Sequence, residues 1–281
     1  MTSSLLSAPT AQSLEREHPE WRAWLAILAV AADEAAIGGW DDAVPSECSA
    51  REPALAGTTL AIERTVAERW VRRLFAASDV PALTKAAERT DALALIEAAL
   101  DLDAPRLEAL ATAAGAPANA FGAVAPLAAV PWLQACGRRW TGARVSEVAW
   151  CGVCGAWAAL AEARGLERER RLRCMRCGGD WRTAWLACPF CGNHDHRRLA
   201  SLVAERTGES RRVDACRDCS AYVKTVTTLA AADASSLRLL DLATVDLDVA
   251  ALDRGFTRPS GLGRAPHVTV VERPTRRFWR L

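Results

Sequence analysis

Cys151-Gly-Val-Cys154-Gly155, followed by Arg171-Leu-Arg-Cys174-Met-Arg-Cys177-Gly178-Gly179-Asp180-Trp181, decides how this chain is read, because the pattern returns. The second copy runs Cys188-Pro-Phe-Cys191-Gly192 and then Arg211-Arg-Val-Asp-Ala-Cys216-Arg-Asp-Cys219-Ser220-Ala-Tyr222. Eight of the ten cysteines therefore stand as four pairs with two residues between partners, nineteen residues from first pair to second and twenty-four from third to fourth. A C-x-x-C turn aims two thiolates at one point, and a second such turn completes a tetrahedral cage for a soft or borderline metal. The candidate metal ligands are Cys151, Cys154, Cys174 and Cys177 for one site and Cys188, Cys191, Cys216 and Cys219 for the other. Sequential pairing follows from the repeat, with a cross-braced arrangement as the alternative.

Each copy reads as a cysteine turn, a hairpin, a basic-apolar strand, a second cysteine turn and an aromatic residue. That is a duplicated zinc-ribbon or rubredoxin-like module. Gly155, Gly178 and Gly192 follow the second cysteine of their turns, where a residue without Cβ lets the backbone fold tightly and point N–H groups at sulfur. Ser220 departs from this rule. Trp181 and Tyr222 are expected to pack against the metal turns, since modules this small have little other core. A site closed by four thiolates has no open position for substrate, so the metals, zinc or iron, are structural or, if iron, redox-active.

The rest of the chain differs in character. Of 281 residues, half are hydrophobic and a quarter charged, as in a soluble globular protein of two or three domains. Residues 1–143 carry 12 Arg and Lys against 18 Asp and Glu, whereas residues 144–224 carry 15 against 10. The basic middle invites a nucleic-acid reading. A divalent metal held by four thiolates carries a net charge of about −2, however, so Arg168, Arg170, Arg171, Arg173 and Arg176 are expected as counter-charges.

Residues 1–143 read as a helical domain. Leu14, Trp21, Trp24, Leu25 and Leu28 form one apolar stripe ended by Gly38 and Gly39, and Asp41 to Gly57 is loop-like. Thr59 is expected to cap a helix bearing Ile62, Val66, Trp70 and Leu74. Further helices are expected from Pro81, from Asp91, from Asp103 to a stop at Gly115, and over Pro126 to Arg139. Many of the eleven tryptophans fall on these stripes as core filling, and Cys48 and Cys136 read as small buried hydrophobes. The uncharged run from Ala109 to Gly137 is broken by glycine and proline and is not a membrane span. The two modules are assigned to residues 144–186 and 187–228. Residues 229–281 are read as a C-terminal helix, packed back on the modules, and an extended tail with a basic ending at Arg276 to Arg280 and one strand at His267 to Glu272. The fold class is multidomain α+β.

Other chemistry is missing. Gly261-Leu-Gly263 lacks the third glycine of a nucleotide-binding turn, and no histidine follows a C-x-x-C as haem attachment requires. His194 and His196 read as hairpin-tip residues, and no nucleophile stands at readable spacing from His18 or His267. No catalytic residues are assigned, and the chain is not read as an enzyme. The first thirteen residues lack the charged and apolar regions of a signal peptide, and paired cysteines without export signals point to metal in the reducing cytoplasm.

The cysteine run from Cys151 to the Tyr222-x-Lys224 ending resembles the formate dehydrogenase accessory protein FdhE family. Asp241-Leu-Ala-Thr-Val-Asp-Leu-Asp248 through Gly255-Phe-Thr-Arg258 is similar to that family's closing segment, and His18-Pro19 before an apolar helix looks like its opening. Gly152 stands where the family often has proline, and the tail after Pro259 has no counterpart. The resemblance implies a cytoplasmic maturation factor that binds the catalytic subunit of a respiratory formate dehydrogenase, with rubredoxin-like iron sites on the eight cysteines. The alternatives are a zinc-ribbon nucleic-acid-binding module and a rubredoxin-like electron carrier. A docking face would show as an exposed hydrophobic patch on the helical domain, which periodicity alone does not reveal.

Overall fold

The computed structural model describes residues 9–37, 39–49, 51–140, 149–204 and 208–274. Gly38, Arg144 and the basic ending at Arg276 to Arg280 lie outside the described residues. In chain order the elements are α1 (Ala11–Glu17), α2 (Arg22–Ala36), β1 (Thr59–Ile62), α3 (Arg64–Ala76), α4 (Pro81–Ala87), α5 (Ala92–Asp101), α6 (Ala104–Ala114), α7 (Ala118–Val124) and α8 (Val130–Trp140). Then come β2 (Leu160–Arg164), β3 (Glu169–Arg173), β4 (Asp180–Arg182), β5 (Leu199–Ala204), β6 (Gly208–Cys216), β7 (Tyr222–Thr228), α9 (Ala234–Leu242), α10 (Val245–Leu252) and β8 (Thr269–Glu272). The fold is α+β. The chain divides into two compact units, one of residues 20–136 with those from 266 onward, the other of residues up to 19 with 137–265.

The first of these units is helical because its sequence places stops and starts where helices need them. Pro81 opens α4, Asp91 accepts hydrogen bonds from the Leu93 and Ala94 N–H groups at the head of α5, and Asp103 caps α6 through the Arg106 N–H. Gly115 ends α6 with φ +67°, a conformation that costs glycine little. Trp70, Trp132, Phe75 and Phe121 are fully buried. Each indole N–H finds a carbonyl, Trp70 that of Ala128 at 2.8 Å and Trp132 that of Ala43 at 3.0 Å. These tryptophans are core filling, as the stripes imply. The stretch Ala118–Trp140 is long and apolar enough to cross a membrane by composition, but 78% of its most apolar window is buried inside the protein.

Two expectations for this half are corrected. The stripe from Leu14 to Leu28 is not one helix, because α1 ends at His18 and a 3-10 turn beginning at Pro19 precedes α2. Pro19 cannot donate into α1 and disfavours helical geometry at His18. Thr59 does not cap a helix either. It opens β1, which pairs in parallel with β8, Thr59 opposite Thr269 and Ile62 opposite Glu272. The strand expected near His267 to Glu272 is therefore present, and its partner lies in the helical unit.

The second unit is one six-stranded sheet in the order β4-β3-β2-β7-β6-β5. Each cysteine module supplies three antiparallel strands, and the modules join where β2 pairs with β7 in parallel, Leu160 opposite Lys224 and Arg164 opposite Thr228. The two copies therefore stand side by side and point the same way. Two helices, α9 and α10, replace the one expected after the modules. Leu237 and Leu240 of α9 pack on Leu160 and Val226, and Leu247 and Ala251 of α10 pack on Val213, Ala215 and Tyr222.

On this helix-covered face, charged side chains sit inside the protein in balanced groups. Glu162, fully buried, accepts from Arg173 at 2.5 Å, from Arg164, and from the Ala232 backbone N–H at 3.1 Å. Lys224, also fully buried, reaches Asp241 at 2.8 Å and Asp248 at 2.7 Å, and Arg258 bonds the same two carboxylates. Tyr222 donates to Asp248 at 2.7 Å. Burial and this bond to Asp248 raise the phenol pKa to about 12, against the opposing pull of Arg258. Tyr222 thus turns into the α10 interface, and Lys224 and Arg258 fasten the chain after the modules to the sheet.

Removing one member of such a group strands the other charge. Glu162→Gln should cost about 3–5 kcal/mol in urea unfolding, against about 0.3–0.5 kcal/mol for Glu68→Gln in the exposed Glu68–Arg72 pair on α3. Asp233, which caps α9, gives a pH signature. Burial opposes its carboxylate, but the hydroxyls of Ser235 and Ser236 and their N–H groups bring its pKa down to about 2. Its contribution should be complete above pH ~4 and fade as pH falls through about 2, and Asp233→Ala should cost about 1 kcal/mol at neutral pH but little below pH ~2.

Candidate metal centres

The four cysteine turns share one construction. In each, the N–H of the first cysteine donates to the carbonyl five residues on: Cys151 to Ala156, Cys174 to Gly179, Cys188 to Asn193 and Cys216 to Ala221, at 2.7–2.9 Å. In the first three, the glycine N–H returns to the carbonyl of the first cysteine at 2.8–2.9 Å. Gly155, Gly178 and Gly192 all take positive φ, as their places in the sequence imply, and Ser220 follows them with φ +56°. The serine keeps the turn at the cost of left-handed strain.

These turns bring the eight cysteines together as two clusters, the first pair with the second and the third with the fourth. The cross-braced alternative is not adopted. In the first cluster Cys151 Sγ lies 3.4 Å from Cys177 Sγ and Cys154 Sγ 3.5 Å from Cys174 Sγ; in the second, Cys188–Cys219 and Cys191–Cys216 are each 3.7 Å apart. All four sulfurs of each cluster lie within 4.8 Å of one another. A tetrahedron with metal–sulfur bonds of about 2.3 Å has edges of about 3.8 Å, so both clusters fit a four-coordinate metal such as zinc or iron.

Electrostatics make the same point. Crowded thiols without a cation cannot all ionise. In the first cluster the neighbouring thiols Cys151 and Cys154 hold Cys174 well below the ordinary range, while Cys151 and Cys177 are driven well above it, chiefly by their contacts with the other cysteines. In the second, burial raises Cys188. At Cys216 burial is outweighed by the N–H groups of Cys219 and Asp218 and by the facing thiols, leaving a pKa of about 7. A divalent cation at each centre removes this frustration.

Three of the five arginines expected as counter-charges are chiefly engaged elsewhere. Arg171 pairs with Asp180 and Glu169, and Arg173 with Glu162. Arg170 donates to the carbonyls of Ala184 and Ala187 and reaches Asp214, although it also feels Cys188. The strand arginines mostly neutralise carboxylates. A cation inside the field of Cys174 and Cys177 is Arg238 of α9, which sequence reading missed because it sits in an ordinary amphipathic helix. Burial lowers its pKa to about 10 against the pull of those two sulfurs.

The two surroundings differ. All four cysteines of the first cluster are buried, whereas Cys191 and Cys219 of the second are exposed. A Cβ on Gly179 would stand 2.6 Å from Cys151 Sγ, and one on Gly137 would strike the Cys177 carbonyl at 1.9 Å. Two cavities flank the second cluster, one of about 340 Å³ reaching Cys188 and Cys216 beside Trp185, the other of about 860 Å³ reaching Cys188 and Cys191 beside Trp157. His194 and His196 are exposed and belong to neither cluster, but they are not hairpin-tip residues: they lie in the loop between the third cysteine turn and β5, ahead of the β5–β6 hairpin. Cys48 is half-buried, Cys136 is buried, and neither is a member of a cluster. Among the described residues an exposed apolar row, Val245, Val249 and Leu252, runs along α10 and not along the helical unit.

No family model matches the chain. Over 111 residues it is 34% identical to the Protein FdhE homolog of Stutzerimonas stutzeri (strain A1501), a match that takes in 38% of this chain and 35% of that relative. The crystal structure of the FdhE protein from Pseudomonas aeruginosa matches 93% of this chain and 99% of its own, with TM-score 0.52 and 21% identity. Both are FdhE proteins. The sequence match supports the FdhE resemblance read from the cysteine run, and the structural match extends the shared fold across nearly the whole chain.

The equivalent turn positions 178 and 220 yield a swap test. A Cβ at Gly178 would meet the Ala234 Cβ at 2.7 Å, whereas Ser220 is exposed. Gly178→Ser should lower stability by about 1–3 kcal/mol, and Ser220→Gly should be neutral or stabilising by up to about 1 kcal/mol. Urea unfolding of the metal-loaded protein measures both.

Proposed function

We propose that this chain is a metal-binding accessory factor for the maturation of a respiratory formate dehydrogenase, docking on the enzyme's catalytic subunit in the cytoplasm. The observation that carries the reading is the pair of four-cysteine clusters held in one sheet, within a chain that is similar to FdhE proteins in sequence segment and fold. Cys151, Cys154, Cys174 and Cys177 hold one metal ion and Cys188, Cys191, Cys216 and Cys219 the other, as iron or zinc. No substrate position is open at a centre closed by four thiolates, so the chain acts by binding and not as an enzyme. When iron is the metal, the centres add the capacity to pass single electrons, which would serve a redox step in activation of the client.

An electron carrier of the rubredoxin kind is the second reading, favoured by the exposed edge at Cys191 and Cys219. The nucleic-acid reading loses support, because the strand arginines that suggested it are engaged with carboxylates and carbonyls of the sheet. The accessory role has a direct test. The affinity-tagged chain should co-purify with the catalytic subunit of formate dehydrogenase from its host, and deleting its gene should abolish most formate dehydrogenase activity. Failure of co-purification together with intact activity would overturn it, and an iron-loaded chain that exchanges electrons without holding the subunit would favour the carrier.

A further inference from the structure

We infer that the two centres divide the work: the cluster of Cys188, Cys191, Cys216 and Cys219 exchanges its metal in the folded protein, opening at Cys191 and Cys219, while the cluster of Cys151, Cys154, Cys174 and Cys177 holds its metal for the life of the fold. The inference rests on the reading that both clusters bind metal. It deepens that reading by naming the working centre.

Ligand exchange at a four-thiolate metal begins when an incoming donor reaches the ion. The bond from metal to donor forms, a metal–Cys Sγ bond breaks, and the departing thiolate takes a proton from water. No electron changes hands. At the first cluster the described residues leave such a donor no approach. All four sulfurs are buried, Gly179 lies against Cys151 and Cys177, Ala234 of α9 closes over Gly178, and Arg238 is buried within the field of Cys174 and Cys177. A donor reaches that metal only after α9 has left the sheet, which couples release to unfolding.

At the second cluster the same turns stand in the open. Cys191 and Cys219 are exposed, a Cβ on Gly192 would meet nothing within 4 Å, and Ser220 faces solvent. Two cavities adjoin this cluster, the smaller reaching the buried Cys188 and Cys216 and the larger the buried Cys188 and the exposed Cys191. Cys188 and Cys216 remain as a buried anchoring pair from opposite turns while the exposed pair lets go. The probes that enter are small chelators and soft-donor ligands such as free thiols.

The test uses the full chain purified without air. Its metal content is measured first, and then a chromogenic chelator, 4-(2-pyridylazo)resorcinol, is added in excess under native conditions. One equivalent should leave at least about tenfold faster than the other, a barrier difference of about 1.4 kcal/mol, and the slow equivalent should follow the rate of global unfolding in urea. Brief alkylation during the fast phase should label Cys191 and Cys219, read by peptide mass mapping, and should spare Cys151, Cys154, Cys174 and Cys177. The double variant Cys191→Ser with Cys219→Ser should retain one metal and lose the fast phase. Release of both equivalents in one phase, or labelling of the first cluster during the fast phase, would overturn the division of work. A starting content below two metals per chain would overturn the metal reading itself, and this inference with it, before any release is followed.

Discussion

Four sulfurs have to converge on one point, twice, and most of the C-terminal half follows from that constraint. Each cluster is assembled from two separate turns, one entering and one leaving the same β-hairpin, β2–β3 or β5–β6. The turns are alike because the geometry leaves little choice: the first cysteine donates across the loop, and the residue after the second cysteine goes left-handed. A structural metal adds an apparent 10–16 kcal/mol or so to folding at sites of this kind. That is comparable with the whole stability of a typical domain. With a metal bound, that contribution would let a module of three short strands fold, and the helical packing around it would add to it.

The duplication is more than two beads on a string. Parallel pairing of β2 with β7 makes one sheet of the two copies, and every residue of β7 is buried. Burying that seam under α9 and α10 draws charged residues inside, where they survive only in balanced sets: Glu162 with Arg173 and Arg164, and Lys224 and Arg258 with Asp241 and Asp248. Such groups add little net stability compared with apolar packing, but losing one partner is expensive. They set the register of the closing helices on the sheet. One of those helices then walls in the first cluster and leaves the second at the surface, so near-identical motifs acquire different surroundings.

What was legible in the sequence was local. The grouping of the cysteines, the glycine turns, the caps at Asp91 and Asp103 and the stop at Gly115 are encoded within a few residues, and all are present. What was missed depends on partners far along the chain. Thr59 to Ile62 reads as the cap and first turn of a helix until β8 arrives from near the other end to pair with it. The strand arginines read as partners of the thiolates because composition cannot see Glu162 and Asp180 across the ladder, and Arg238 looks like any helix arginine until α9 docks. The unequal exposure of the clusters was invisible for the same reason. A C-x-x-C motif carries no mark of what will pack on it.

The account stands on two metal ions per chain, each bound only by cysteine sulfur, and elemental analysis with X-ray absorption of protein purified without air tests this most directly. The prediction is two irons or two zincs per chain, with a first shell of four sulfurs at about 2.3 Å. Iron would bring visible charge-transfer bands that bleach on reduction, and zinc a silent spectrum. A chain that folds with no stoichiometric metal, or a first shell containing nitrogen or oxygen ligands, would contradict it.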